Sequence, residues 1–334
     1  MNASKVITDQ FDRVHNYLRI SLTERCNLRC FYCMPEEGIE LSEKSNVLTH
    51  EEVVFLAKQF VALGVNKIRL TGGEPLIKKN IEKIIRELTA LPISLGITTN
   101  GILLDKYIEL FKECGVNDIN ISLDTLDKEQ FEIMTRRDYF DRVMSNIYQC
   151  ILAGFNVKIN AVLMKGINDS EIVDFIEFTK DKNVSFRFIE FMPFDGNKWD
   201  NSKVVTLGDV FEKVNEKYAK DQIIKLEDKK NDTTKNYRIK GYKGSFGIIS
   251  TVSNPFCDSC NRIRLTANGR IKNCLFSATE TNLLDPMRNG EDVVPYILNA
   301  ILPKEKSRGG MTSDEDFFDK EKNTKNRAMI SIGG

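Results

Sequence analysis

Cys26-Asn27-Leu28-Arg29-Cys30-Phe31-Tyr32-Cys33 places three thiols within eight residues, shortly after the strand-like run 17–22. No fourth Cys or His lies nearby in the sequence. Cysteine thiolates at such spacing hold iron–sulfur clusters or zinc, and a four-iron cluster ordinarily takes four protein ligands. Three ligands on one loop therefore predict a cluster with one iron left open for another molecule. A zinc knuckle and unconnected core cysteines are the alternatives.

Short β-rich runs alternate with amphipathic helical runs from residue 17 to about residue 193. The candidate strands are 17–22, 67–71, 94–99, 118–123, 156–163 and 185–191, and the candidate helices between them are 51–63, 80–88, 104–114, 141–153 and 171–180. Six strand–helix repeats with apolar strands predict a parallel sheet. A doubly wound sheet and a partial (β/α) barrel fit this count equally well.

The position of the unusual residues separates these two folds. Chemistry-bearing residues follow the ends of many strands: the cysteine loop, Thr71-Gly72-Gly73-Glu74-Pro75, Thr98-Thr99-Asn100-Gly101, Ser122-Leu123-Asp124 and Glu190-Phe191-Met192-Pro193. In a barrel those ends converge on one mouth, whereas an open sheet offers a crevice only where the strand order reverses. We therefore predict an incomplete six-stranded TIM-like (β/α) barrel.

The pattern changes after Pro193, and we predict two domains, 1–205 and 206–334. The second is a smaller α+β region, with a helix at 207–218, that closes the barrel mouth. Asn268-Gly269 predicts a two-residue hairpin turn. The last stretch, from about Lys304, is rich in Lys, Asn, Asp and Gly, which predicts mobility.

Cys257, Cys260 and Cys274 form a second trio with the spacing C-x2-C-x13-C. A closed structural zinc site takes four ligands, and this trio has no obvious fourth. The remaining thiols, Cys114 and Cys150, lie in helical patterns and are interpreted as structural. The two histidines, His15 and His50, show no signal beyond a surface or capping role. Two three-cysteine groups, each without a fourth ligand, are expected if each holds a cluster with one open iron.

Arg262 and Arg264 stand between the cysteines of the second trio, on a candidate strand. Alternate strand residues point the same way, so both guanidinium groups lie on one face. Such a pair can bind phosphate or carboxylate through planar, charge-assisted hydrogen bonds. A solvated face of an exposed strand is the alternative.

Composition limits the classes of partner. The 334 residues include 48 Lys plus Arg and 48 Asp plus Glu, and 41% are hydrophobic. This balance calls for neither nucleic acid nor an anionic membrane, so any anionic substrate needs a local group of cations. No run approaches a membrane span, and six of the eight cysteines fall in metal-type groups, which favours a reducing cytoplasm.

The octet, with an aromatic residue before its last cysteine, resembles the radical S-adenosylmethionine superfamily. Gly72-Gly73-Glu74-Pro75 matches that superfamily's GGEP element. Residues 25–35, the run Cys257-Asp258-Ser259-Cys260-Asn261-Arg262-Ile263-Arg264-Leu265-Thr266 and the terminal Gly333-Gly334 resemble the GTP 3′,8-cyclase family over nearly the whole chain. Asn268 stands where that family more often has Asp, a turn position that either residue can fill.

This resemblance implies a lyase of molybdenum cofactor biosynthesis with two [4Fe–4S] clusters and S-adenosylmethionine as cofactors. Reductive cleavage of S-adenosylmethionine would give a 5′-deoxyadenosyl radical that abstracts the 3′ hydrogen of GTP. Bond formation between C3′ and C8 would then give (8S)-3′,8-cyclo-7,8-dihydroguanosine 5′-triphosphate. The implied partners are GTP, a reducing electron donor and the downstream cyclic pyranopterin monophosphate synthase, and a homodimer is compatible with the family.

The resemblance also assigns roles to residues. It implies the first cluster on Cys26, Cys30 and Cys33; the second cluster on Cys257, Cys260 and Cys274; S-adenosylmethionine at Tyr32, Gly73, Ser122 and Met192; GTP at Arg19, Arg69, Thr98, Lys158, Arg187, Arg262 and Arg264; catalytic roles for Arg19, Arg262 and Arg264; and a Gly333-Gly334 tail that enters the site. Two other hypotheses stay open. A radical maturase of a peptide predicts more than three C-terminal cysteines, and a zinc-dependent interaction protein predicts zinc and no iron.

Overall fold

The computed structural model describes residues 6–35, 37–311, 313, 315, 316, 319 and 327–333. Within these residues twelve strands join one sheet in the order β12-β11-β10-β1-β2-β3-β4-β5-β6-β9-β8-β7. The strands are β1 Tyr17–Ser21, β2 Lys67–Thr71, β3 Ser94–Thr99, β4 Asp118–Ser122, β5 Asn156–Leu163, β6 Val184–Glu190, β7 Ile223–Lys225, β8 Lys235–Ile239, β9 Ser245–Ile249, β10 Arg262–Leu265, β11 Arg270–Lys272 and β12 Thr281–Asn282.

Helices connect the central strands and bury an apolar stripe against them. They are α1 His50–Ala62, α2 Ile81–Thr89, α3 Ile108–Glu113, α4 Lys128–Thr135, α5 Phe140–Leu152, α6 Ile172–Glu177, α7 Leu207–Lys217, α8 Leu284–Arg288, α9 Val294–Ile301 and α10 Met329–Ile332. The start of α1 shows how local sequence sets a boundary. The side chain of Thr49 accepts from the backbone N–H of Glu52 and the Glu52 side chain accepts from Thr49, which is a complete capping box.

Eight neighbouring strands of the sheet, β10, β1 to β6 and β9, run parallel. The predicted incomplete barrel is confirmed: β1 to β6 follow one another in sequence order, and the sheet does not close. The C-terminal region extends this barrel at both edges, because β10 pairs with β1 and β9 pairs with β6. The division at residue 205 stays a prediction, since strands from both sides of it share one sheet.

Several local predictions need correction. The β10–β11 loop has three residues, Ala267, Asn268 and Gly269, because Leu265 faces Ile271 and the Thr266 N–H donates to Arg270. Helix α4 was not predicted. His15 is not a surface residue, because its side chain is fully buried. Mobility was predicted from Lys304 onward, and part of that stretch lies outside the described residues.

Two findings bear on the environment of the chain. All eight cysteines are free thiols. No helix of the described residues has the length and apolar character that a membrane crossing requires.

Candidate functional site

The carboxyl ends of the parallel strands surround a cavity of about 420 Å³. All but two of the predicted site residues line it. They come from β1 to β6 and the loops after them, from β10, and from the segments before β10 and after β11: Arg19, Cys26, Cys30, Tyr32, Cys33, Arg69, Gly73, Thr98, Ser122, Lys158, Arg187, Met192, Cys257, Cys260, Arg262, Arg264 and Cys274. Both cysteine trios therefore face one space. Of the other two, Gly333 lies at its edge and Gly334 lies outside the described residues.

The first cysteine loop packs directly on the Gly72-Gly73 backbone. Gly73 N–H donates to the Thr23 carbonyl at 2.7 Å, and Glu74 N–H donates to the Arg25 carbonyl at 2.8 Å. A Cβ at Gly73 would lie 2.2 Å from the Arg25 oxygen. Glycine is thus required here because two backbones approach more closely than any side chain allows.

The three thiols of the first trio are partly buried. Burial raises the pKa of Cys26 to about 11 and that of Cys33 to about 12, and it also raises the pKa of Cys30. Cys26 adds to the effect at Cys33, and Cys26 and Cys33 both add to it at Cys30. Among the described residues, no three His, Cys, Asp or Glu side chains converge as a single metal ion would require. Three cysteine thiols on one loop are a ligand set that an iron–sulfur cluster can use.

Two carboxylates that the sequence argument did not assign support this loop. Glu74 is fully buried and accepts from Thr99 Oγ1 and from the Asn100 N–H, both at 2.8 Å, while burial raises its pKa to about 7. Asp124 accepts from the Tyr32 hydroxyl at 2.6 Å, and burial raises its pKa to about 6. In the sequence, the position of both residues just after the end of a strand was the feature that could have identified them.

The second trio is held by cations. Cys257 lies in a helical turn before β10, and its carbonyl accepts from Arg13 Nη1 at 2.9 Å. Lys304 Nζ lies 3.3 Å from Cys260 Sγ, to which it donates. Burial raises the pKa of the Cys260 thiol, but the charge of Lys304 and neighbouring hydrogen bonds outweigh burial and lower it. A cation thus donates directly to one sulfur of the second trio, Cys260, whereas burial raises the pKa of Cys274.

Three arginines form a row across adjacent strands. Arg264 on β10 is the register partner of Arg19 on β1, and Arg19 is in turn the partner of Arg69 on β2. Burial and the charge of Arg19 lower the pKa of Arg264 to about 9, and burial also lowers the pKa of Arg19. At Gly96 on β3 a Cβ would lie 2.8 Å from Arg69 Nη2, so glycine leaves room for that guanidinium.

Tyr17 lies beside this row. Its hydroxyl accepts from Arg69 Nε at 2.9 Å, and the Lys67 ammonium lies 4.8 Å from its ring centre. Burial raises the pKa of Tyr17, but the charges of Arg69, Arg19 and Lys67 outweigh burial and lower it to about 7. A tyrosine so close to its phenolate form marks a strongly anion-attracting environment.

The remaining predicted GTP residues also present polar atoms to the cavity. Lys158 Nζ pairs with Asp118 Oδ1 at 2.9 Å, a partner that the sequence argument missed. Within the described chain, several buried polar atoms of the cavity wall have no hydrogen-bond partner: Thr98 Oγ1, Asn120 Oδ1, Asn160 Oδ1, Arg187 Nε and Arg262 Nη1. Buried polar groups are normally satisfied, so these atoms indicate a polar ligand.

The described end of the chain is packed against the site. Arg264 Nη1 donates to the Gly333 carbonyl, and Ile332 packs in a cluster with Met192, Phe194 and Phe276. Arg327 donates two hydrogen bonds to Glu280, each at 3.0 Å. Gly333 thus contacts a residue that lines the cavity, and a role of the tail in the site stays a prediction.

Comparison with known proteins agrees with this geometry. Residues 20–179 match the family model described as Radical SAM superfamily, and residues 184–309 match the model described as Molybdenum Cofactor Synthesis C. The crystal structure of Streptococcus suis SuiB bound to S-adenosylmethionine has a TM-score of 0.62, with 18% identity over 96% of this chain and 79% of SuiB. At that identity the likeness shows the fold alone, and fold and family model together define a radical S-adenosylmethionine protein.

Relatives of closer sequence narrow the assignment. The mitochondrial GTP 3′,8-cyclase of Arabidopsis thaliana is 49% identical over 99% of this chain and 84% of that protein. Molybdenum cofactor biosynthesis protein 1 of Dictyostelium discoideum is 48% identical over 98% of this chain, which spans about half of that longer protein, 52%. The chain therefore belongs to the GTP 3′,8-cyclase family.

Proposed function

We propose that this chain is a GTP 3′,8-cyclase acting at the cavity between the two cysteine trios. S-adenosylmethionine, cleaved reductively at a cluster on Cys26, Cys30 and Cys33, supplies the radical that abstracts the 3′ hydrogen of GTP and leads to the C3′–C8 bond. The observation that carries the proposal is the arginine row beside two cysteine trios in one cavity. Such a row is suited to a triphosphate, whose charge would relieve its repulsion.

Different residues of the cavity would bind S-adenosylmethionine and GTP. Tyr32 and Gly73 adjoin the first cysteine loop, Ser122 and Met192 line the same cavity, and these four residues would hold S-adenosylmethionine. Arg19, Arg69 and Arg264, with Lys158 and Arg187 across the cavity, would hold the triphosphate. Thr98 and Arg262 offer the unsatisfied polar atoms described above for the remaining groups of GTP. Burial keeps these hydrogen bonds out of competition with water.

Cys257, Cys260 and Cys274 would hold a second cluster, which would bind the guanine of GTP. All three thiols face the cavity that the first trio faces, and the charges of Cys257 and Cys260 add to the effect of burial in raising the pKa of Cys274. About eight iron and eight sulfide per chain would support two clusters, and about four of each would leave the second trio unexplained. The proposal also includes a reducing electron donor, a homodimeric state, the downstream synthase as a pathway partner and a cytoplasmic location.

Anaerobic incubation with reductant, S-adenosylmethionine and GTP tests the activity. We expect 5′-deoxyadenosine and the cyclised nucleotide to form together, and 5′-deoxyadenosine formation indifferent to GTP would contradict the proposal. Cys26→Ala should abolish cleavage, whereas Cys274→Ala should retain uncoupled cleavage and lose cyclisation. Cys114→Ala is the matched control, because that thiol lies outside the cavity.

A further inference from the structure

Lys304 places a buried ammonium group behind the second cysteine trio. The residue follows α9, and its side chain is 2% exposed. Its Nζ donates to Cys260 Sγ at 3.3 Å and to the Arg262 carbonyl at 3.0 Å. These contacts join the end of the helical region to the strand that carries Arg262 and Arg264.

The charge of Lys304 is not balanced by a neighbouring acid. In the described chain no carboxylate lies within ion-pair distance of its Nζ, and the nearby Asp9 is bound to Arg13 at 2.6 Å and to His15 at 2.9 Å. Arg13 brings further positive charge to the Cys257 carbonyl, and the charge of Arg262 also acts on Cys260. A buried ammonium is costly unless an anion pairs with it. The sulfur of Cys260 is the group in contact that can become that anion.

In the described residues no lysine or arginine donates a hydrogen bond to a sulfur of the first trio. The neutral amide of Asn100 lies 3.7 Å from Cys26 Sγ, and the Tyr32 hydroxyl donates to Cys30. The Arg29 guanidinium acts on Cys26 only through its charge, since its Nη1 donates to the Cys26 and Leu28 carbonyls, and the acids Glu74 and Asp124 oppose that charge. A change at Lys304 should therefore act on one trio and leave the other as it was. This selectivity makes the role of the lysine measurable.

We propose that Lys304 is a positioning residue of the second cluster, which fixes the Cys260 sulfur and neutralises part of the cluster's negative charge. This inference rests on the proposed function, since it needs the second trio to hold iron and sulfide. Hydrogen bonds to the ligand sulfurs and nearby charge both set the reduction potential of such clusters. Because a cation stabilises the reduced, more negative state, Lys304 raises the potential of the second cluster.

The test compares three variants of the full chain after anaerobic cluster loading. Lys304→Met removes the charge and the donor at similar length, Lys304→Arg restores both, and Lys306→Met removes an exposed lysine two residues away. Each is made in a Cys30→Ala background, so that the second cluster alone gives the electron paramagnetic resonance signal. We expect a more negative midpoint potential in Lys304→Met and the original potential in Lys304→Arg and Lys306→Met.

Each outcome decides between the alternatives. An unchanged potential in fully loaded Lys304→Met overturns the proposal. If Lys304→Met loses its iron while Lys304→Arg keeps it, the charge-neutralising role is supported; loss in both variants means that the lysine serves packing only and overturns the role. If the wild-type chain, with both trios intact, holds about four irons, the two-cluster assignment itself fails. Iron counts thus separate a failure of the proposed function from a failure of this inference.

Discussion

Arg19 and Arg264 lie side by side in the register of β1 and β10, although they come from opposite ends of the sequence. Arg69 continues the row on β2. Like charges directly opposite one another destabilise a sheet, and burial strengthens the repulsion. Burial and the charge of Arg19 lower the pKa of Arg264 to about 9, which is the result of the same repulsion. The row is therefore a site that binding of an anion would stabilise.

Replacing Arg19 should separate stability from binding. Arg19→Met removes one charge of the row, so we expect the ligand-free protein to unfold at a higher temperature. GTP affinity should fall roughly 10- to 100-fold, the equivalent of one charge-assisted hydrogen bond of about 1.5–3 kcal/mol. Thermal unfolding and titration calorimetry measure the two effects. Arg270→Met, at an exposed position of β11, should change neither. A less stable Arg19→Met protein that binds GTP normally would contradict this interpretation.

Tyr17 should make GTP binding depend on proton uptake. Its pKa of about 7 means that the phenolate forms as the pH rises above neutrality, held there by Arg69, Arg19 and Lys67 against the effect of burial. A bound triphosphate would oppose that negative charge and raise the pKa, so binding takes up a proton in this range. Affinity should therefore weaken as the pH rises through about 7, relative to Tyr17→Phe.

Calorimetry in two buffers of different ionisation enthalpy counts these protons. The difference between wild type and Tyr17→Phe isolates the tyrosine from the titration of GTP itself. Equal proton uptake in the two proteins would show that Tyr17 does not change ionisation on binding.

Sequence patterns selected residues that line one cavity, because the motifs that carry them are local. The cysteine octet and the Gly72-Gly73 element each lie within a few residues, and residues of both line that cavity, while their roles stay predictions. Tyr17 and Lys67 could also have been found, since each stands two residues before an arginine on the same strand and so shares its face. The alternation of side chains along a strand was the sequence feature that indicated both residues.

Other features depend on contacts between distant segments. The parallel pairing of β10 with β1, which creates the arginine row, follows from tertiary structure and has no local signature. Lys304 lies in a stretch whose composition indicated mobility, yet its side chain is buried. His15 likewise gave no pattern, because a single polar residue reveals its burial only when its neighbours are known.

His15 should make folding sensitive to mild acid. Burial and the charge of Lys304 lower its pKa from 6.5 to about 4, although the hydrogen bond to Asp9 opposes the shift. The unfolded chain therefore binds a proton at a pH where the folded protein does not. The contribution of neutral His15 to the free energy of unfolding is fully present above about pH 6.5. It is lost as the pH falls towards about 4, and the total loss is about 3 kcal/mol.

His15→Gln supplies the comparison, because glutamine can still donate to Asp9 but does not titrate. Urea unfolding across this pH window should show that wild type loses stability relative to His15→Gln as the pH falls. Parallel curves for the two proteins would show that His15 ionises equally in the folded and unfolded states.

Gly333 gives the sharpest test of the C-terminal tail. Its φ of 79° is left-handed, and a Cβ there would lie 2.5 Å from Thr71 Oγ1 and 2.9 Å from Ser21 Cβ. Gly290 has almost the same φ, 78°, but a Cβ would meet nothing within 4 Å. Gly290→Ala should therefore cost about 1 kcal/mol of stability through backbone strain alone and leave cyclisation unchanged.

Gly333→Ala adds crowding to the same strain, at the place where Arg264 contacts the tail. Displacing that carbonyl would shift an arginine of the row, and a shift of about 1 Å at a reacting site can cost roughly 100-fold in rate. We therefore expect cyclisation to fall by that order while 5′-deoxyadenosine still forms, as measured by chromatography of both products. If Gly333→Ala and Gly290→Ala cyclise GTP equally well, the tail has no part in the reaction.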